Sequence, residues 1–82
     1  MSNFESDKIF TIPLEKIEKI VLKNLYDEKS VKSLKLLTDK ILEKAIKERI
    51  TISEKPINQI IYQMNKAEKI IFTQKNGWRI RI

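Results

Sequence analysis

Three stretches of the chain repeat apolar residues every three to four positions, the spacing that gathers them on one side of an α-helix. In PLEKIEKIVLKNLYD (residues 13–27) the stripe is Leu14, Ile17, Val21 and Leu25, widened by Ile20 and Leu22. Pro13 suits a first-turn position, Thr11 before it is a candidate cap, and Glu15 and Glu18 complement the positive end of the helix. In VKSLKLLTDKILEKAIKER (31–49), Val31, Leu34, Leu37 or Thr38, Ile41, Ala45 and Ile46 predict one longer helix, with Asp27 or Ser30 as N-cap. A division near LTDK into two shorter helices is the alternative. In EKPINQIIYQMNKAEKI (54–70), Ile57, Ile60, Ile61, Met64 and Ala67 form the third stripe, with Pro56 in the first turn and Ser53 or Lys55 in the cap region.

Two other segments break the helical period. ITIS (50–53) is short, alternating and β-branched, and predicts a brief strand. KIIFTQKNGWRIRI (69–82) holds the only glycine of the chain, in Asn76-Gly77. That pair most readily adopts the two positive φ values of a type I′ turn, so it predicts a hairpin with a two-residue loop. The pairing would set Lys75 against Trp78, Thr73 against Ile80 and Ile71 against Ile82. One face then carries Ile71, Thr73, Trp78, Ile80 and Ile82 toward the core, and the other carries Phe72, Gln74, Arg79 and Arg81, with Lys75 at the tip.

These elements predict an α+β, mainly helical fold: three helices followed by a C-terminal β-hairpin, in one domain spanning residues 1–82, with 1–10 as a polar N-terminal arm. A chain of 82 residues supports one core with little margin, and its 41% hydrophobic content is enough to build it. Cysteine and histidine are absent, which removes the usual ligands of structural zinc and any disulfide. No run approaches the roughly 20 apolar residues of a membrane span, and MSNFESDKIF lacks the pattern of a signal peptide. The expectation is a soluble intracellular protein with no metal or cofactor.

The net charge of +6 is unevenly spread. Residues 1–28 carry four basic and six acidic side chains, net −2; residues 29–49 carry seven and three, net +4; residues 50–82 carry six and two, again +4. A positive potential confined to the last two thirds points to an anionic partner, nucleic acid first.

The order of helix, helix, short strand, helix and terminal hairpin resembles a winged helix-turn-helix domain. The resemblance implies that the last helix enters the major groove and that the hairpin, the wing, contacts flanking phosphate or the minor groove. Recognition then falls on INQIIYQMNK: Asn58, Gln59 and Gln63 offer amides suited to base edges, Tyr62 a hydroxyl for phosphate or a ring for sugar, and Lys55 and Lys66 charges for phosphate. The wing role falls on Lys75, Asn76, Arg79 and Arg81. Trp78 reads as a core anchor.

The function this implies is a small nucleic-acid-binding protein acting on duplex DNA, as a transcriptional regulator or DNA-associated factor. The alternative is a protein-interaction module, an accessory subunit of a larger nucleic-acid-processing complex that docks an acidic partner. Catalysis is not expected: no imidazole or thiolate can act as base or nucleophile, and no Gly-rich loop can cradle a phosphate. A homodimer through the Leu14–Leu25 helix would suit a palindromic site.

Overall fold

The computed structural model describes residues 13–81. Helix α1 spans Leu14–Glu28, α2 Leu34–Lys47 and α3 Glu54–Lys66, followed by strands β1 (Ile70–Thr73) and β2 (Gly77–Ile80), which pair as an antiparallel hairpin. The architecture is therefore the expected α+β, mainly helical one, three helices and then a hairpin. The arm at 1–10, Thr11 and Ile82 lie outside the described residues.

The helical stripes become one core. Ile17, Ile20, Val21 and Leu25 of α1 meet Leu37, Ile41 and Ala45 of α2 and Ile57, Ile60, Ile61 and Met64 of α3, with Val31, Ile70 and Trp78 completing the cluster. Thr38 and Leu37 are both buried, so α2 turns a wider arc inward than its apolar stripe alone requires. Three residues counted in the stripes stand outside: Leu14 is 43% exposed, Ile46 is 71% exposed, and Ala67 follows the last turn of α3.

Helix ends account for most boundary differences. Pro13 occupies the N-cap of α1, one position earlier than a first-turn proline, and its carbonyl accepts from Ile17 N–H at 3.0 Å. The middle segment is one helix, but it begins at Leu34. Ser33 caps it in place of Asp27 or Ser30, its hydroxyl accepting from Leu36 N–H at 3.2 Å. Ser53 caps α3 by position, with extended backbone and no side-chain cap bond. Both α2 and α3 end in a Schellman motif. Ile50 N–H donates to Ala45 O and Arg49 N–H to Ile46 O; Lys69 N–H donates to Met64 O and Glu68 N–H to Asn65 O. The left-handed position in each is a charged residue, Arg49 (φ 60°) and Glu68 (φ 64°), where glycine is usual.

The strand expected at ITIS does not form. Residues 51–53 connect α2 to α3 without ladder bonds, because no strand lies beside them. Val31, between α1 and α2, takes that place and makes a single antiparallel bridge to Trp78 on β2.

The hairpin register also differs. Ile70 pairs with Ile80, Ile71 with Arg79, Phe72 with Trp78 and Thr73 with Gly77, leaving Gln74, Lys75 and Asn76 as the loop. The turn is closed by a side chain, Asn76 N–H donating to Thr73 Oγ1 at 3.1 Å, and Gly77 (φ 80°) becomes the first residue of β2. Trp78 thus faces Phe72 where Lys75 was expected, a shift of three residues, and an odd shift flips all of β1 relative to β2. Phe72 therefore shares a face with Trp78 and Ile80, whereas Ile71 and Thr73 go to the face of Arg79, the reverse of the expected assignment.

Gly77 is fixed by more than its φ. An added Cβ would run into the Val31 carbonyl and come within 2.7 Å of Lys32 Cα. The segment between α1 and α2 thus lies directly on the hairpin backbone.

Candidate nucleic-acid interface

Because Ile57, Ile60, Ile61 and Met64 face the core, the 3.6-residue period turns Lys55, Gln59, Tyr62, Gln63 and Lys66 to the exposed side of α3. Asn58 departs from this set. It lies on the flank toward α2, where its Oδ1 accepts a 2.5 Å hydrogen bond from Thr38 Oγ1, a hydroxyl on a residue only 1% exposed. This bond holds the Asn58 amide toward α2, so Asn58 stands at the edge of the outward face and not, as expected, squarely on it.

On the hairpin, Lys75 is exposed at the tip and Arg79 on β2, while Asn76 is half buried beside the turn. Arg81 is exposed but pairs with Glu68 at 3.3 Å. Ion pairs also engage Lys23 with Asp27, Lys35 with Asp39, Lys40 with Glu28 and Lys69 with Glu18. Among the described residues none engages Lys29, Lys32, Lys55, Lys66, Lys75 or Arg79.

Trp78 joins helix and hairpin. It is 4% exposed, as a core anchor should be, and Tyr62 of α3 meets it edge-on at 6.5 Å between ring centroids while Phe72 of β1 tilts against it at 5.2 Å. These rings, with Lys32, Ser33, Leu34 and Asn65, line a cleft of about 400 Å³ between the start of α2, α3 and the hairpin. A second cleft of about 450 Å³ lies on the other side of the Val31 segment. Leu25, Tyr26, Lys29 and Ser30 line it together with Asn76, Arg79 and Ile80.

The site thus includes residues the sequence did not mark. By spacing alone Lys32 belongs to a helix surface and Lys29 to a separator, but the late start of α2 adds Lys32 to the connection, which lies beside the hairpin. Phe72 enters through the shifted register. Its signal was local: Thr73, three residues before Asn76, can close a three-residue loop with its hydroxyl.

The described residues contain no group of three side chains able to hold a metal ion, and no described helix is long and apolar enough to cross a membrane. In comparisons with known proteins, no family model, no curated protein and no solved structure matches this chain significantly.

Proposed function

We propose that the chain is a small basic nucleic-acid-binding domain that engages duplex DNA with the outer side of α3 and the adjoining hairpin, as a winged-helix regulator or DNA-associated factor. One observation carries the reading: from Lys55 to Arg81 the only acidic side chain is Glu68, against six basic ones. On α1 and α2, by contrast, lysines alternate with acids, as Lys16 and Lys19 do with Glu15 and Glu18. A predominantly cationic surface with amides at its centre suits phosphate attraction at the rim and base contacts in the middle.

The test is an electrophoretic shift with random-sequence duplex at two salt concentrations. Phosphate binding weakens log-linearly as salt rises, by several powers of ten for a protein with many contacts. Binding that ignores salt, or none at all, removes the reading.

The second reading, a protein-interaction module, draws on a different surface. Exposed Ile46 lies with Arg49, Ile50, Thr51 and Ile52 around a cleft of about 350 Å³ at the far end of α2. An apolar dock there would be salt-insensitive. The stripe on α1 is less suited to such a role, because the core already covers it and leaves Leu14 and Tyr26 as its exposed large apolar residues.

A further inference from the structure

The cleft over Trp78 has features that duplex binding does not use. Phe72 is 44% exposed and Tyr62 54%, although both rings already lean on Trp78, so each keeps a good part of its surface open to an incoming group. The rest of the lining is mixed: Leu34 is the single aliphatic side chain, Asn65 brings an amide, and Lys32 brings a cation without an ion pair among the described residues. No acid lines the cleft. This lining complements a flat ring with hydrogen-bonding edges and a negative charge attached.

We propose that this cleft takes an unpaired nucleobase, stacked on Phe72 and Tyr62 with its amide-like edge toward Asn65 and its phosphate toward Lys32. The inference rests on the nucleic-acid reading and sharpens its substrate class. A base inside a duplex has both faces covered by its neighbours, so only an unpaired base or one at a strand end has a face to give to an aromatic ring. The preferred ligand is therefore a duplex carrying an unpaired nucleotide or a single-stranded overhang. The volume of about 400 Å³ leaves room for one base and its sugar.

The probes are a blunt duplex, the same duplex with a short thymidine overhang, and free oligothymidylate, titrated by fluorescence anisotropy at one salt concentration. Native protein should bind the overhang duplex about tenfold more tightly than the blunt one. Phe72→Ala and Tyr62→Ala should each bring the ratio of overhang to blunt-duplex affinity down to about one. Phe72→Leu, which keeps an apolar side chain and removes the ring, covers the case in which Phe72→Ala fails to fold; it should also lose the preference, and Phe72→Tyr should keep it.

Equal affinity for blunt and overhang duplexes overturns the proposal while leaving duplex binding intact, as does a preference that survives Phe72→Leu. Loss of affinity for both duplexes in equal measure, in variants whose circular dichroism is native, also overturns it and makes the cleft part of the ordinary duplex surface. Failure to bind any of the three probes overturns this proposal and the parent reading together.

Discussion

Val31 and Trp78 exchange both of their backbone hydrogen bonds: Val31 N–H donates to Trp78 O at 2.9 Å, and Trp78 N–H donates to Val31 O at 2.7 Å. This pair gives the short hairpin a third, one-residue strand, which matters because a two-stranded ribbon is marginal alone in water. It also brings Lys29 and Lys32 beside the hairpin and sets the two clefts on either side of it.

Gly77 permits that approach. Substituting alanine adds strain at positive φ and a collision with the Val31 carbonyl, so Gly77→Ala should destabilise the fold by about 3 kcal/mol. Urea unfolding followed by Trp78 fluorescence measures it. A loss below about 1 kcal/mol would mean that the bridge to Val31 shifts freely.

The amides of α3 separate into two kinds. Asn58→Ala should cost about 1–2 kcal/mol of stability by orphaning the buried Thr38 hydroxyl, and a double-mutant cycle with Thr38→Val should show a coupling of about 1 kcal/mol. Gln59→Ala and Gln63→Ala should leave stability alone and cost about 1–3 kcal/mol on a selected DNA site, with little effect on random duplex. Should Asn58→Ala alter site preference while the other two do not, the structural and recognition roles are reversed.

Charge removal should grade with pairing. Lys75→Ala and Arg79→Ala should each lower the salt slope of binding by about one, whereas Arg81→Ala should do less, because Glu68 already opposes that charge. Glu68→Gln is then expected to strengthen binding to all sequences alike. Unchanged or weaker binding would place Arg81 away from phosphate.

Two helix ends hold residues in a conformation that glycine adopts more cheaply. Arg49→Gly should stabilise the fold by about 1 kcal/mol, since the Schellman bonds of α2 stay in place while the left-handed strain is relieved. Glu68→Gly tests the same point for α3. Thermal melting decides both, and a drop in Tm for Arg49→Gly would show that its side chain contributes more than its backbone costs.

Asn24 offers a further test. It is buried on α1 with Oδ1 unpartnered among the described residues, a group whose desolvation is uncompensated. Asn24→Leu, similar in volume and apolar, should raise stability by about 1 kcal/mol in the same unfolding assay. A loss would indicate that an ordered water satisfies the amide.

What the sequence made legible follows from which forces act locally. Apolar periodicity located all three helices, and Ile17, Val21, Leu25, Ile41, Ile57, Ile61 and Met64 are buried as their spacing requires. The ends were harder to read. Glycine normally marks a helix C-terminus, and in this chain Lys29, Arg49 and Glu68 take the left-handed positions instead. The hairpin turned on a competition between two short-range effects, the Asn-Gly preference for a tight turn and the Thr73 hydroxyl that closes a longer one. Contact between Gly77 and the Val31 backbone favours the second, and that contact joins segments remote in sequence. The same remoteness hid the tie of Asn58 to Thr38, the bridging role of Val31 and the cleft over Trp78.

The Val31 bridge also bears on how the chain is made. Its two halves are separated by more than half of the sequence, so during synthesis α1 and α2 emerge long before the strand that closes over them. Until β2 follows, Val31 lacks its bridge partner and the core lacks Trp78. Docking of the last strand is then the step that closes the core and builds both hairpin clefts at once, which links completion of the fold to completion of the binding surface.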